Sequence, residues 1–72
     1  MISRAMKING RRASVKLESG FWKALDDMAR RRGISIIALI SEIDRTRGTA
    51  PLTSALRVAA VSYFREALHR MA

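Results

Sequence analysis

Three side chains that can hydrogen-bond to base edges recur at every second position near the start of the chain. They are Arg12, Ser14 and Lys16, and the residues between them are apolar. Arg and Lys can donate to O6 and N7 of guanine in the major groove of DNA, and a serine hydroxyl can donate or accept. The spacing predicts a base-reading strand. The alternative is a plain solvent-facing row on an exposed edge, where lysine discourages aggregation.

A second candidate contact is the junction Gly33-Ile34-Ser35, where the spacing predicts that one helix ends and another begins. A helix N-terminus presents unpaired N–H groups and a positive dipole end, which suits a phosphate oxygen. Arg11 and Arg32 are predicted to contact phosphate as well. The competing interpretation is an ordinary helix cap beside a solvated run of arginines, Arg30 to Arg32.

No combination of residues points to catalysis. The single histidine, His69, stands beside Arg70 and has no second ligand or nucleophile at a suitable spacing. The chain has no cysteine and no phosphate-binding glycine loop. The expectation is a protein that is not an enzyme and that uses no cofactor and no metal.

The spacing of apolar residues predicts the elements that position these side chains, first a strand and then helices. Ala13, Val15 and Leu17 share one face of a strand over residues 12–17. Helical spacing then predicts helices over residues 19–32, 36–45 and 51–70. Gly33 is expected to close the first helix and Ser35 to cap the second. The aromatic residues lie at core spacing, so they are expected to pack rather than to stack on bases.

The basic start of the chain, residues 1–11, has no helical stripe and is predicted to be a mobile arm. The dipeptide Asn9-Gly10 leaves an alternative, because both positions tolerate positive φ in a two-residue hairpin turn. Residues 12–48 are expected to form the core of the fold. Residues 49–72 are expected to form a C-terminal helix that packs on it.

Size and charge limit the function classes. A chain of 72 residues without cysteine cannot bury much surface alone, so a second copy is expected to complete the core. A net charge of +8 predicts a polyanionic partner, either nucleic acid or an anionic membrane surface. The apolar runs are too short to span a bilayer, and no signal-peptide core is visible. The expected location is the cytoplasm, in association with the nucleoid.

A lone strand also needs a partner edge, and the simplest partner is the same strand of a second chain. The prediction is therefore an antiparallel ribbon across a two-fold axis, with both chains building one core. The residues expected in that dimer core are Val15, Leu17, Phe21, Trp22, Leu25, Met28, Ile37 and Ile40.

The order of these motifs resembles the ribbon-helix-helix superfamily of bacterial DNA-binding regulators, which includes the Arc and MetJ repressors. More narrowly, it is similar to small bacterial ribbon-helix-helix domains with an FW pair and a later SALR helix. The matching motifs cover roughly residues 10–68: Ser14-Val15-Lys16-Leu17-Glu18, Phe21-Trp22, Gly33-Ile34-Ser35, Ser41-Glu42-Ile43-Asp44 and Ser54-Ala55-Leu56-Arg57.

The resemblance implies a mainly α fold (α+β by element) of order β-α-α, here with a third helix, as an intertwined homodimer. It implies that Arg12, Ser14 and Lys16 read bases of double-stranded DNA, and that Gly33, Ile34 and Ser35 clamp phosphate. The expected function is a transcriptional repressor or autoregulator, with higher-order assembly on DNA left open. The alternatives are an antitoxin-like module that binds a protein through residues 52–71 and, more remotely, a peripheral membrane protein.

Overall fold

The computed structural model describes residues 1–71, which form two strands followed by three helices. The strands are β1 (Ile2–Ile8) and β2 (Arg11–Leu17), paired antiparallel in one two-stranded sheet. The helices are α1 (Ser19–Arg32), α2 (Ile36–Thr46) and α3 (Leu52–Met71). This β-β-α-α-α order confirms the predicted ribbon-helix-helix fold with an added C-terminal helix.

Residues 2–8 form β1 instead of a mobile arm, so that prediction is wrong and the hairpin alternative is correct. Asn9 and Gly10 take φ of 48° and 82°, both in the left-handed region that a two-residue hairpin turn requires. The register pairs Ile8 with Arg11 at the turn and Ile2 with Leu17 at the open end. The ribbon that the structure contains is therefore formed within one chain, and β2 is not a lone strand.

The inner face of the hairpin packs on the helices. Ile8, Val15 and Leu17 are almost completely buried, as are Trp22 and Leu25 of α1. Gly33 ends α1 with φ of 67°, and the N–H groups of Gly33 and Ile34 donate to carbonyls of its last turn. This is the expected left-handed glycine cap.

Helix α2 begins with the predicted cap, because the Ser35 hydroxyl accepts from the Ala38 N–H at 3.0 Å. Leu39 and Ile40 are its buried residues, whereas Ile37 is 44% exposed. Ile37 therefore does not belong to the core of the single chain, and Leu39 takes the inward position that the sequence interpretation had missed.

Helix α3 packs across both other helices and reaches the sheet. Leu56 and Ala60 are completely buried in the common core. The other side of α3 leaves an exposed apolar stripe, which consists of Val58, Val61, Phe64, Leu68 and Met71. The C-terminal helix therefore packs on the core as expected, but only one side of it is covered within the chain.

Candidate nucleic-acid interface

The outer face of the hairpin carries every residue predicted to read bases. Arg12, Ser14 and Lys16 are all exposed and alternate with inward-facing residues of β2. Their register partners on β1 are Lys7, Ala5 and Ser3, which are also exposed. The structure thus gathers these side chains on one surface, which is called the outer ribbon face below.

The ladder of the hairpin determines which edge of β2 is available. In a hairpin with a two-residue turn, the flanking pair Ile8–Arg11 exchanges both backbone hydrogen bonds, and bonded pairs then alternate with non-bonded ones. Arg12, Ser14 and Lys16 fall in non-bonded pairs. Their backbone N–H and C=O groups therefore point away from β1, toward the outer edge of β2.

The side-chain carboxylates of the chain are all engaged by arginines. Glu18, Asp26, Asp27, Glu42, Asp44 and Glu66 each lie within 4.0 Å of at least one guanidinium group. Across residues 1–71, six cationic side chains have no such carboxylate partner: Lys7, Arg12, Lys16, Lys23, Arg45 and Arg65. Half of these six lie on the outer ribbon face, which concentrates uncompensated positive charge there.

The turn of the hairpin is fastened to α2 through Asp44, whose side chain is only 7% exposed. Its carboxylate accepts from Arg47 at 2.7 Å, from Asn9 at 3.0 Å and from Arg11 at 2.9 Å. Asn9 also donates to the Ser41 carbonyl. The hydrogen bond from Arg47 and then that from Asn9 lower the pKa of Asp44 from 3.8 to about 2, against the opposing effect of its burial.

The open end of the hairpin is fastened to α1 through Trp22. The indole Nε1–H donates to the Ile2 carbonyl at 2.9 Å. The Arg4 guanidinium lies 4.3 Å from the centre of the indole ring and makes a two-pronged ion pair with Asp26. Both ends of β1 thus contact the helices, which fixes the position of the outer ribbon face relative to α1 and α2.

The predicted phosphate clamp is only partly available for binding. The N–H groups of Gly33 and Ile34 already donate to the Arg30 and Ala29 carbonyls, at 3.1 and 3.0 Å. The first turn of a helix cannot satisfy its own N–H groups, so those of Ile36 and Ile37 are the donors left at this end of α2. Ser35 uses its hydroxyl as the cap.

The two arginines predicted to contact phosphate are both ion-paired in the free chain. Arg11 binds Asp44 at 2.9 Å and Arg32 binds Glu42 at 3.0 Å, although both remain largely exposed. The start of α2 also lies away from the hairpin turn, which contacts Ser41 and Asp44. Asp44 lies nine positions after Ser35 along the helix, a rise of about 13 Å.

The sequence interpretation missed Ser3 and Lys7, because it treated the first eleven residues as an arm. The Ser3 hydroxyl lies 2.8 Å from that of Ser14 across the strands. Lys7 lines one shallow groove together with Arg12 and Ser14. The alternation of Met6 and Ile8 with polar neighbours was the signal that could have placed them on the outer ribbon face.

The family model described as "Ribbon-helix-helix domain" matches residues 1–64. The chain belongs to this family. Comparison with curated proteins and with solved structures finds no match. The matched range includes β1, so this first strand of the hairpin lies within the ribbon-helix-helix domain and is not an appendage to it.

Ribbon-helix-helix domains are generally DNA-binding transcription regulators or antitoxins, typically bind DNA as dimers and are typically not enzymes. Within residues 1–71 no three His, Asp or Glu side chains are grouped closely enough to hold a metal ion. None of the helices described here combines the length and apolar character needed to cross a bilayer.

Proposed function

We propose that this ribbon-helix-helix domain is a sequence-specific binder of double-stranded DNA and acts as a transcriptional repressor or autoregulator. The observation that carries the proposal is the outer ribbon face. It presents Arg12, Ser14 and Lys16 in one row and concentrates cations that no carboxylate neutralises. A two-stranded ribbon fits the roughly 12 Å wide major groove, where such side chains discriminate base pairs.

The proposal includes a homodimer formed along the outer edge of β2. The backbone groups of Arg12, Ser14 and Lys16 point to that edge, where β2 has no strand neighbour among residues 1–71. Antiparallel pairing with the same edge of a second copy would satisfy these groups and place two base-reading rows side by side. An operator with two-fold or repeated symmetry follows from such a dimer.

Phosphate positioning falls to the start of α2 in this proposal. The Ile36 and Ile37 N–H groups, with the helix dipole and the nearby Ser35, can hold a phosphate oxygen. Gly33 and Ile34 contribute by shaping the turn. To contact phosphate, Arg11 would leave Asp44 and Arg32 would leave Glu42, or each guanidinium would contact its carboxylate and the phosphate together. This function implies that the protein is located in the cytoplasm, in association with the nucleoid.

Selection of bound duplexes from a random pool tests this function. We expect enrichment of a short motif with two related half-sites, and tighter binding of that duplex than of a scrambled duplex of equal length. Recovery of unrelated duplexes at equal affinity would reduce the function to non-sequence-specific binding. Absence of binding to any duplex would contradict the proposal.

A second candidate function, protein interaction as in an antitoxin, is favoured by the exposed apolar stripe on α3. Val61 and Phe64 are nearly half exposed, and Leu68 is 66% exposed. Contiguous exposed apolar surface of this kind marks interaction sites. A Val61→Ser/Leu68→Ser variant should bind DNA as the parent does and lose affinity for any protein that co-purifies with the parent. Retention of that protein would exclude the stripe as its docking surface.

A further inference from the structure

We propose that β1 extends the DNA-contacting surface, with Lys7 as a contact to the phosphate backbone beside the base-reading strand. This inference rests on the proposed DNA-binding function and assigns a role to a strand outside the base-reading row. Lys7 is exposed, lies on the outer ribbon face and has no carboxylate within ion-pair distance among residues 1–71.

The cross-strand partner of Lys7 is a second cation. The register places it directly opposite Arg12, and the pair is a non-hydrogen-bonded one, in which side chains approach most closely. Like charges at opposed positions destabilise a sheet. Two facing cations without a counter-charge are therefore a cost in the free protein, and a bound polyanion removes that cost.

In the proposed dimer, β1 lies farther from the two-fold axis than β2 does. Neighbouring strands lie about 4.8 Å apart, so two central β2 strands would place each β1 about 7 Å from the two-fold axis. The major groove is roughly 12 Å wide, so β1 comes to lie over its walls instead of over the base edges. Lysine, a flexible point charge, suits a phosphate at that position.

Contacts at both ends hold β1 in place on the helices. Trp22 fixes its open end through the Ile2 carbonyl, and Asn9 fixes the turn on α2. The hydrogen bond between Ser3 and Ser14 joins the two strands on the outer ribbon face itself. Lys7 therefore approaches DNA from a fixed backbone, unlike a residue in a mobile arm.

The test compares Lys7→Gln with Lys23→Gln, which removes the same charge from an exposed, carboxylate-free lysine of α1. Binding is measured on the duplex selected by the parent and on a random-sequence duplex, over a salt series. We expect Lys7→Gln to weaken both complexes alike. Its plot of log K against log[salt] should be flatter by about 0.9 per bound copy, and that of Lys23→Gln should be nearly unchanged.

A Lys7→Arg variant should retain the affinity and salt slope of the parent, because it keeps the charge. Equal behaviour of Lys7→Gln and Lys23→Gln, while the parent still binds its selected duplex, would overturn the role of Lys7 and leave the proposed function intact. A loss confined to the selected duplex would assign Lys7 to a base and overturn the phosphate contact. Failure of the parent itself to bind any duplex would instead overturn the proposed function.

Discussion

The cationic side chains of the outer ribbon face differ from most arginines in having no carboxylate partner among residues 1–71. Eight arginines lie within ion-pair distance of the six carboxylates, so each of these arginines has an opposite charge beside it. Apart from the two pairs made by the nearly buried Asp44, these ion pairs are exposed, and exposed pairs contribute about 0–1 kcal/mol of stability each. Their main effect here is on the pattern of charge, because the unbalanced cations are left on the outer ribbon face, on Lys23 and at two arginines.

Lys16 provides the first test at the residue scale. If it donates to a guanine, Lys16→Ala should reduce the preference for the selected duplex over random DNA by ~1–3 kcal/mol. Lys23→Ala is the matched control and should leave the preference unchanged. Competition binding with the two duplexes measures the difference. Equal losses on both duplexes would make Lys16 a backbone contact instead of a base reader.

Asp44 provides a test by pH. Because its folded pKa of about 2 lies below its usual 3.8, the ionised carboxylate stabilises the fold above pH 3.8, and this contribution disappears as pH falls to about 2. Asp44→Asn should therefore be less stable than the parent near pH 6, and the gap should close between pH 4 and pH 2. Urea unfolding at a series of pH values checks this. A gap independent of pH would contradict the assigned role of the charge.

At the scale of elements, the alternating strand, the three helices and both caps could be predicted from residue spacing, since each depends on local chemistry. The inward position of Leu39 instead of Ile37 could not be predicted, because the closely spaced apolar residues of α2 offer two overlapping faces and only the packing of α2 on α1, α3 and β1 decides between them. Residues 2–8 were ambiguous for another reason. Ile2, Arg4, Met6 and Ile8 share the inner face of β1. The charged Arg4 interrupts this apolar pattern, and its contacts with the Trp22 ring and the Asp26 carboxylate are visible only in the structure.

The hairpin turn gives a test at this scale. Gly10 has φ of 82°, so Gly10→Ala should lower the free energy of unfolding by roughly 1–2 kcal/mol. Gly20→Ala is the control, since Gly20 lies in the first turn of α1 without positive φ and an added Cβ there meets open space. It should be neutral or stabilising by up to about 1 kcal/mol. Equal effects of the two changes would mean that the turn does not constrain β1.

At the scale of the whole molecule, β2 does not need a second copy to find a partner strand, because β1 of the same chain pairs with it. The predicted reason for a dimer, a strand without a partner, therefore does not hold. Val15 and Leu17 are buried within the single chain, so a charge at either position would unfold the chain and reveal nothing about assembly. What still favours a second copy is the outer edge of β2 and the small size of the core.

Ser14→Pro tests the dimer without disturbing the core. Ser14 is exposed, and its N–H points to the outer edge of β2, where proline removes a donor that the intrachain ladder does not use. Sedimentation should show the parent as a dimer and the variant as a folded monomer, with folding verified by circular dichroism. A variant that remains dimeric would place the interface elsewhere, and the exposed stripe of α3 would be the next surface to test.

Two charge-matched variants test whether the outer ribbon face is the surface that binds DNA. Arg12→Gln/Lys16→Gln and Lys23→Gln/Arg65→Gln each lower the net charge from +8 to +6, and all four side chains lack a carboxylate partner within residues 1–71. Both variants are titrated with the selected duplex at one salt concentration. The hairpin variant should lose at least tenfold more affinity than the helix variant, since base contacts are worth about 1–3 kcal/mol each. Equal losses would show that binding follows net charge alone and would contradict the account.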